Sequence, residues 1–541
     1  MALPLNLSRD SFPYPSRRMP VLAPRRVVAT SQPLAAQAGL SVLQAGGNAV
    51  DAALATAIAL TVVEPTSNGI GADAFALVWD GRTLYGLNGS GRAPRAHTPA
   101  RVRQLGHERI PARGWLAVTI PGAPATWRDL HERFGRLPFE RVFDPAIHYA
   151  ERGFPVSPVT AAAWAASFHV YSALAGDPAF KPWLDTFAPG GAPPAAGGMW
   201  SSPGHARALR LIAQSKASAF YEGELAAETA RFAAETGGHI ALDDLAAHTS
   251  TWVDPISTDY RGYGVWEIPP NGQGIAALTA LNVAEGLDLT RHPRESVESW
   301  HQQIECMKLA FVDAQRYVAD PQHADVPVHE LLDKRYAAQR CSLIGERALD
   351  PTPGDPARGG TVYLCAADAD GMMVSFIQSN YQGFGSGIVV PGMGIAIQNR
   401  GYGFTLDESQ PNVLAPGKRP FHTIIPAFLT EGDRPVGPFG VMGGHMQPQG
   451  HFQMVVNQVD YGLNPQAALD APRWHWIAGR RLAVERAAGE ALLEALANRG
   501  HDVDTSHPAS LFGKGQIIRQ LPDGGYVAGS EPRGDGCAVG F

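Results

Sequence analysis

The feature that most constrains the fold of this 541-residue chain is an abrupt change of pattern near position 360. Between Asp350 and Gly360, three prolines and three glycines fall within eleven positions, and neither a helix nor a paired strand sustains that composition. We expect this segment to be exposed, at the kind of place where a chain is cut. Directly after it, the runs TVYLCAA and MMVSFIQS flank DADG and alternate with a period of two, which predicts a β-hairpin.

The hairpin predicts which side chains meet. If the Asp-Gly pair at 370–371 is a two-residue turn, Thr361 lies opposite Asn380. A longer turn shifts this pairing by about one residue. In either case, the hydroxyl that begins one strand meets the polar groups of Ser379, Asn380 and Tyr381 at the end of its partner.

Composition limits the class of protein. Hydrophobic residues make up 45% of the chain and charged residues 18%, which is typical of a globular protein. The length predicts two domains or one large layered body. A net charge of −7 gives no support for nucleic-acid or anionic-membrane partners, which need clustered Lys and Arg.

Residue patterns elsewhere predict much of the secondary structure. We expect helices at 33–45 and 48–63, strands at 75–79 and 83–87 around an Asp-Gly hairpin turn, and mainly helices from about 120 to 345. A Pro/Gly-rich stretch at 188–204 is expected to be a surface loop.

The N-terminus, the apolar stretch and the cysteines bear on location and redox state. Charges and prolines occupy the N-terminus where a secretory signal has an apolar block, so we expect a cytoplasmic protein. The most apolar stretch, 49–63, is shorter than the roughly 20 residues of a membrane span and predicts a buried helix. The cysteines lack paired spacing and are expected to be free and buried: Cys306, Cys341, Cys365 and Cys537.

Several motifs in a shared order resemble those of a known family. They include AGGNAVDAALA at 45–55, SNGIGADAF at 67–75, IPPNGQG at 268–274, GKRPFHTIIPAF at 417–428 and GVMGGHMQPQG at 440–450. From about Val27 to its end, the chain resembles the γ-glutamyltranspeptidase family of N-terminal-nucleophile hydrolases. The resemblance implies an α/β fold, a four-layer α-β-β-α sandwich with a helix-rich large segment and a β-rich small segment.

The resemblance also implies a precursor that cuts its own backbone, here at the Gly360–Thr361 bond. We therefore expect an N-terminal extension at 1–26, a large segment at 27–360 and a small segment at 361–541, held together as a heterodimer. A homodimer of this processed unit is left open. An α-amine has a pKa of about 7.7–8.0 and accepts a proton, whereas an amide nitrogen does not. Cleavage would thus give residue 361 both a nucleophilic hydroxyl and its base.

Three further catalytic residues follow from their positions in the family's motifs. Ser379 matches a hydroxyl residue that orients the nucleophile. Gly443 and Gly444 match a glycine pair whose backbone N–H groups form the oxyanion hole. Such donors contribute about 3–4 kcal/mol each to transition-state stabilisation.

The substrate-binding residues are assigned in the same way. His422 and Thr423 match two hydroxyl residues that hold the substrate carboxylate, and of these only Thr423 keeps the hydroxyl. Asn380 and Asn399 complete the expected substrate-binding set with Arg92 and Arg400, which are considered next.

The sequence departs from the family where the substrate's charged groups would bind. Ser90 stands at the position of an arginine that grips the carboxylate, and Arg92, two residues later, could reach the same space. Gly403 stands where the family places an acid for the substrate amine, and Arg400 replaces a nearby Gln. These changes favour an anionic or plain acyl group over a zwitterion. The stretch 404–420 is also short for the family's lid loop.

Three functions remain open from the sequence. The leading one is hydrolysis of γ-glutamyl amides such as glutathione, or transfer of the γ-glutamyl group to an amine, through a Thr361 acyl-enzyme. The first alternative is an acylase or amidase for a glutaryl or other small acidic acyl group, motivated by Gly403 and Arg400. The second is an unprocessed, non-catalytic homologue, because two glycines rather than a more polar residue precede Thr361.

We expect a small-molecule substrate and neither a cofactor nor a metal. The chain has no G-x-x-x-x-G-K-[ST] phosphate loop. His301 and Glu305 stand four residues apart on a predicted helix and could share a metal, but no second ligand pair accompanies them. A solvated or capped helix face explains this pair better.

Overall fold

The computed structural model of the protein describes residues 17–351 and 360–541. Its α-helices are α1 (Pro33–Gln44), α2 (Ala49–Val63), α3 (Pro99–Gln104), α4 (Ala123–Phe134), α5 (Asp144–Arg152), α6 (Pro158–Ser172), α7 (Lys181–Phe187), α8 (Pro203–Gln214), α9 (Ser218–Tyr221), α10 (Glu224–Glu235), α11 (Leu242–Ala246), α12 (Gly274–Glu285), α13 (Val297–Tyr317), α14 (Val328–Leu331), α15 (Lys334–Cys341), α16 (Met446–Val459), α17 (Pro465–Asp470) and α18 (Glu490–Asn498).

Its β-strands alternate with these helices throughout the described residues. They are β1 (Val21–Ala23), β2 (Val27–Thr30), β3 (Asp73–Trp79), β4 (Leu84–Gly89), β5 (Phe154–Pro155), β6 (Met199–Trp200), β7 (Thr251–Val253), β8 (Ile256–Tyr260), β9 (Tyr263–Glu267), β10 (Gly360–Ala367), β11 (Met373–Tyr381), β12 (Val389–Val390), β13 (Ile395–Ala396), β14 (Ala427–Glu431), β15 (Arg434–Met442), β16 (Trp474–Ala478), β17 (Arg481–Val484), β18 (Asp502–Asp504), β19 (Lys514–Gln520), β20 (Tyr526–Ser530) and β21 (Cys537–Gly540).

Two seven-stranded antiparallel sheets form the centre of this mixed helix-and-sheet fold. Sheet I has the strand order β21-β2-β10-β11-β3-β4-β7, and sheet II has the order β1-β20-β19-β15-β14-β9-β8. Both sheets contain strands from before and after residue 360. In sheet I, for example, β10 lies between β2 and β11. The predicted large and small segments therefore interleave within each sheet, and their boundary stays a prediction.

Three apolar clusters pack against the faces of these sheets. The first lies between the sheets and joins Phe75 of sheet I to Phe428 of sheet II. The next residue along sheet I, Ala76, belongs instead to a second cluster that includes α1 and α2. Because successive strand residues face opposite sides, this cluster covers the other face of sheet I. A third cluster packs α12, α13 and α16 against Ala427 and Leu429 of sheet II.

The two predicted N-terminal helices are confirmed as α1 and α2. Asn48 caps α2, because its side chain accepts a hydrogen bond from the Asp51 N–H at 3.0 Å, and the Asp51 carboxylate accepts one from the Asn48 N–H at 3.1 Å. All fifteen residues of α2 are buried, as the apolar stretch predicted.

The predicted β-hairpin is confirmed as β10 and β11, but its predicted two-residue turn is wrong. Residues 368–372 form a five-residue turn between the paired residues Ala367 and Met373. Asp368 stabilises it, since its Oδ1 accepts two backbone N–H groups of the turn at 2.9 and 3.2 Å. The first predicted hairpin, β3–β4, likewise has a longer turn, with Trp79 paired to Leu84.

The predicted helical region and the predicted surface loop are only partly regular in the way the sequence indicated. The region 120–345 is mainly helical but also contains β7, β8 and β9, which pair at the edges of the two sheets. Most of the predicted loop at 188–204 is irregular, with β6 near its end. Residues 352–359 of the breaker-rich segment, and the first 16 residues of the predicted extension, lie outside the described residues.

The cysteines are free: Cys306 and Cys365 are buried, and Cys341 and Cys537 are half-buried. In the described part of the chain, every helix is either too short or too polar to cross a bilayer.

Candidate active site

A bulge in β10 falls at the predicted nucleophile. The register between β10 and β11 shifts between Gly360 and Val362, so Thr361 does not pair directly with Asn380 as the two-residue turn predicted. Bulges re-aim a side chain and are over-represented beside active sites.

The Thr361 hydroxyl lies in a network of polar groups. Its Oγ1 donates a hydrogen bond to Ser379 Oγ at 3.1 Å, and Gln447 Nε2 donates to Thr361 Oγ1 at 3.4 Å. Ser379 Oγ also accepts the Tyr381 N–H at 2.8 Å. Of the expected cluster of Ser379, Asn380 and Tyr381, the structure confirms Ser379 and the Tyr381 backbone beside Thr361, whereas the Asn380 side chain makes no hydrogen bond among the described residues. Thr361 is nearly fully buried, with 2% of its residue surface exposed.

The two predicted oxyanion-hole glycines follow β15 and precede α16. Gly443 has φ +131° and Gly444 has φ +61°, conformations that residues with a Cβ rarely adopt. In the residues described, neither N–H has a hydrogen-bond acceptor. Gly443 and Thr361 line one cavity of about 490 Å³, which we call the Thr361 cavity. The arrangement can place two free donors beside a carbonyl under attack.

Gln273 fixes the backbone around these glycines. Its Nε2 donates to the carbonyl oxygen of Gly444 at 2.9 Å and to that of Thr423 at 2.6 Å. One buried amide thus joins the glycine pair at 443–444 to the predicted carboxylate-binding segment at 422–423, and the sequence analysis did not predict this role for Gln273.

Arg400 is a buried cation with unused donors. Only 1% of its surface is exposed, its Nη1 donates to Thr423 Oγ1 at 2.6 Å, and its guanidinium stacks 4.6 Å from the centre of the Tyr381 ring. Its Nε and Nη2 have no hydrogen-bond partner in the described part of the chain. Burial lowers the pKa of Arg400 to about 10, against the charge of Asp73, so the guanidinium remains charged at neutral pH.

Asp73 and His422 form a buried pair beside Arg400. His422 Nδ1 accepts the Ile424 N–H at 3.3 Å, so its Nε2 carries the proton and donates to Asp73 Oδ2 at 3.1 Å. Burial raises the pKa of Asp73 to about 7, despite the nearby Arg400 charge, and burial keeps the pKa of His422 well below its usual range. Both ring nitrogens of His422 are therefore already engaged, and Asp73 also accepts the Gly122 N–H at 3.1 Å.

The two predicted asparagines differ in their contacts. Asn380 is fully buried, and neither its Oδ1 nor its Nδ2 has a hydrogen-bond partner among the residues described. In contrast, Asn399 accepts the Gln382 N–H at 3.1 Å and donates to the Ala112 carbonyl at 2.8 Å. Asn380 keeps capacity for a ligand, while Asn399 holds a loop in place. Their predicted substrate contacts stay predictions.

Arg92 lies in a different charged neighbourhood. It approaches Arg419 and His248, and each of these has its pKa lowered, first by burial and then by neighbouring cations that include Arg92. Arg419 donates to the backbone oxygen of Ser90 at 3.1 Å. The substitute role expected of Arg92 remains a prediction, and the position of Gly403 is open, since an added Cβ would meet only the Phe421 carbonyl at 3.4 Å.

The His301–Glu305 pair gains a partner that the sequence spacing did not reveal. His501 Nε2 lies 2.9 Å from His301 Nδ1, while His301 Nε2 contacts the Gly345 carbonyl at 2.9 Å. The buried Lys308 Nζ donates to Glu305 Oε1 at 2.8 Å. The carboxylate therefore already has a cationic partner, and the two imidazoles are joined by a hydrogen bond.

A second, larger cavity lies next to the site, with Tyr381 in its wall. It has a volume of about 900 Å³, and its lining includes Tyr381, Tyr402, Gly403 and Phe421; we call it the Tyr402 cavity. His445 lines both cavities. Thr361 thus has one cavity beside it and a second beyond Tyr381, so the two halves of a substrate could extend in different directions.

Comparisons with known proteins converge on one family. The family model described as Gamma-glutamyltranspeptidase matches residues 35–541. The Glutathione hydrolase-like YwrD proenzyme of Bacillus subtilis (strain 168) is 38% identical over 532 residues, covering 96% of this chain and 99% of the relative. The Oxamate amidohydrolase proenzyme of Klebsiella pneumoniae subsp. pneumoniae is 33% identical over 527 residues, covering 94% of this chain and 97% of the relative.

A solved structure is closer in sequence than either of these relatives. Cephalosporin acylase from Bacillus halodurans is 53% identical, covers 99% of both chains, and superposes with a TM-score of 0.96. The three proteins share the family, while their names give different substrates.

Proposed function

Because the chain belongs to the gamma-glutamyltranspeptidase family and is an enzyme of its hydrolase and acylase type, we propose that it cuts itself before Thr361 and then hydrolyses amides of small acidic acyl groups. One observation carries the choice of acyl group. Arg400 is buried with two guanidinium nitrogens lacking hydrogen-bond partners in the described residues. Buried polar groups are nearly always paired, so this vacancy fits a carboxylate brought by the substrate.

The first step is activation of the precursor. Thr361 Oγ attacks the Gly360 carbonyl, the Gly360–Thr361 amide bond becomes an ester, and water hydrolyses that ester. The products are a carboxylate at Gly360 and a free α-amine on Thr361. This amine, with a pKa of about 7.7–8.0 in an unperturbed chain, is the base that the hydroxyl lacks in the precursor.

Each catalytic cycle then uses the same oxygen. Thr361 Oγ attacks the substrate carbonyl while the α-amine takes the hydroxyl proton and passes it to the departing amine. The N–H groups of Gly443 and Gly444 stabilise the negative oxygen of the tetrahedral intermediate. Water, activated by the same amine, then releases the acid and restores Thr361. Ser379 positions the hydroxyl throughout, as its 3.1 Å hydrogen bond suggests.

The acyl group is held by its own carboxylate. Arg400 would bind it through Nε and Nη2, while Nη1 remains on Thr423. A hydrogen bond to a charged group contributes about 1.5–3 kcal/mol, enough to favour an acidic acyl group strongly over a neutral one. Asn380, whose amide is unpaired among the described residues, supplies further polar contacts.

γ-Glutamyl amides, including glutathione, are the second candidate substrates, and the resemblance to the glutathione hydrolase-like relative favours them. A γ-glutamyl group carries an α-ammonium as well as a carboxylate. Gly403 offers no acid for this ammonium, and Asp73 is fully buried with its oxygens on His422 and Gly122. Transfer to an amine acceptor would follow the same acyl-enzyme in either case.

Turnover of two matched anilides separates the candidates. Glutaryl-4-nitroanilide and γ-glutamyl-4-nitroanilide differ only in the ammonium group, and we expect kcat/KM to favour the glutaryl compound by a wide margin. The Thr361→Ala variant, which should stay uncut, is the control for background hydrolysis. Equal rates, or faster release from the γ-glutamyl compound, would refute the acidic-acyl preference.

Two finer structural points belong to the same proposal. We propose that the sheets and helices stack as four α-β-β-α layers, supported by the cluster between the sheets and the two clusters on their outer faces. We also propose that the cut pieces remain together as a heterodimer, since each piece contributes strands to both sheets. A silent, uncut homologue predicts the opposite on a denaturing gel: one persistent full-length band and no free Thr361 terminus.

A further inference from the structure

We propose that the Thr361 cavity is the subsite for the amine half of the substrate, and that Lys514 selects amines carrying an acidic group on a compact apolar body. This inference rests on the proposed function, because it assigns the second half of the amide that Thr361 would cut. It adds a recognition residue on the side of the site away from Arg400.

The orientation of the substrate follows from what surrounds each cavity. Arg400 stacks on Tyr381, and both Tyr381 and Gly403 line the Tyr402 cavity. An acyl chain with its carboxylate on Arg400 therefore extends to that side of Thr361. In the amide bond that Thr361 would cut, the acyl chain and the amine nitrogen lie on different sides of the carbonyl carbon. The amine therefore points into the Thr361 cavity, whose wall contains Thr361 and Gly443.

The walls of the Thr361 cavity set the size and polarity of its occupant. The wall includes small and apolar side chains from α6, β15, β16 and the segment before β19: Val159, Ala162, Ala163, Ala166, Met442, Ile477, Pro508 and Leu511. A volume of about 490 Å³ accommodates one or two rings rather than a long peptide. The alanines of α6 leave a flat face on which such a ring can lie.

Lys514 gives this apolar cavity an ammonium group that forms an ion pair with Glu64 but donates no hydrogen bond to it. The nearest carboxylate oxygen, Glu64 Oε1, lies 3.7 Å from Lys514 Nζ, beyond hydrogen-bond distance. Glu64 Oε2 instead accepts the Ser31 hydroxyl at 2.5 Å. With 15% of its side chain exposed, Lys514 is largely shielded from water, so a carboxylate in the cavity would interact with it strongly.

The other ionisable side chains in the wall, Arg533, His445 and His475, are already engaged or neutral. His475 Nδ1 contacts the Leu511 carbonyl oxygen at 3.3 Å. Arg533 donates to Glu485 at 2.6 Å and to Glu531 at 2.7 Å. Burial lowers the pKa of His445 to about 3, so this ring is neutral at physiological pH. In the described part of the wall, Lys514 is thus the cation whose N–H groups remain available to a ligand.

Two glutaryl amides of equal size test the subsite in the processed enzyme. One releases 3-aminobenzoate and the other releases 3-aminobenzamide, so the leaving amines differ in charge alone. We expect kcat/KM to favour the aminobenzoate amide about tenfold. Lys514→Gln should bring this ratio close to one, whereas Lys514→Arg should retain it because the positive charge remains.

The ratio of the two kcat/KM values does not depend on how much of a variant is folded. A variant that is partly unfolded loses activity toward both amides equally and keeps its ratio. Lys181→Gln, which removes an exposed lysine of α7 outside the cavity, is the matched control and should leave the ratio unchanged. A ratio near one in the wild type, or an unaltered preference in Lys514→Gln, would overturn the role of Lys514. Failure of processed wild type to hydrolyse either amide would instead overturn the proposed function on which the subsite depends.

Discussion

Arg473 and Arg400 are both buried arginines, yet they differ in where their partners come from. Arg473 is fully buried and donates to Glu531 Oε2 at 2.8 Å and to the backbone oxygens of Phe512 and Leu469. The Arg400 guanidinium has one hydrogen-bond partner among the described residues, the Thr423 hydroxyl, and Asp73 acts on it only through its charge. The chain supplies a hydrogen-bonded carboxylate to the first guanidinium and none to the second, which separates a structural cation from one that can bind an anionic ligand.

The largest expected effect is on stability, at the arginine that the chain itself satisfies. Arg473→Met leaves Glu531 buried with only Arg533 as its cationic partner, and should lower the free energy of unfolding by about 3–5 kcal/mol. Chemical denaturation monitored by tryptophan fluorescence measures this change. A shift below about 1 kcal/mol would show that the pair is not structural.

The same substitution at Arg400 should lower activity rather than stability. Arg400→Met removes the proposed carboxylate contacts, so kcat/KM for a glutaryl amide should fall about a hundredfold. The free energy of unfolding should change by only about 1 kcal/mol, because the lost cation had few partners of its own. Should this variant unfold as readily as Arg473→Met, the distinction between the two arginines fails.

A third prediction concerns acid stability at the Arg473 site. Burial alone would raise the pKa of Glu531, but Arg473 and Arg533 outweigh it and hold the pKa below its usual 4.5. The stabilisation is therefore fully present above the unfolded-state pKa and is lost as pH falls through the lower folded-state pKa. At neutral pH, Glu531→Gln should cost about 2 kcal/mol, and the difference from wild type should shrink below pH 4.5. A difference that stays constant from pH 7 to pH 3 would argue against this pair.

The sequence predicts features that depend on contacts between nearby residues, and it does not predict those that depend on residues far apart in the chain. Local patterns predicted α1, α2 and the β10–β11 hairpin, because caps, apolar runs and period-two alternation act over a few residues. The exact register of β10 against β11 was not predicted, because the Asp368 side chain stabilises a longer turn than the assumed two residues. The family resemblance located Ser379 and the glycine pair, but it gave no sign that Asp73 would lie on His422, 349 positions away.

Two other features of the structure were not predicted because they also depend on contacts between distant residues. His501 reaches His301 across 200 positions, and the contact depends on how α13 packs against the segment after α18. Whether a buried arginine is paired or unpaired is likewise a property of the assembled interior. Neither APRWH at 471–475, which contains Arg473, nor QNRGYG at 398–403, which contains Arg400, distinguishes the two cases.

The smallest predicted effect concerns pH at the Arg400 site. Burial raises the pKa of Asp73 to about 7, so Asp73 becomes negative as pH rises through neutrality and competes with the substrate carboxylate for Arg400. KM for an acidic acyl amide should therefore increase a few-fold between pH 6 and pH 8, an effect of less than about 1 kcal/mol. Asp73→Asn should flatten this dependence; a steeper rise in the variant would contradict the assignment.

Mass spectrometry of the enzyme quenched in acid during turnover of a glutaryl amide tests the central claim most directly. The account predicts two chains, with the shorter beginning at Thr361 and carrying a glutaryl ester on that residue. A single uncut chain, or an acyl group attached to any other residue, would contradict it.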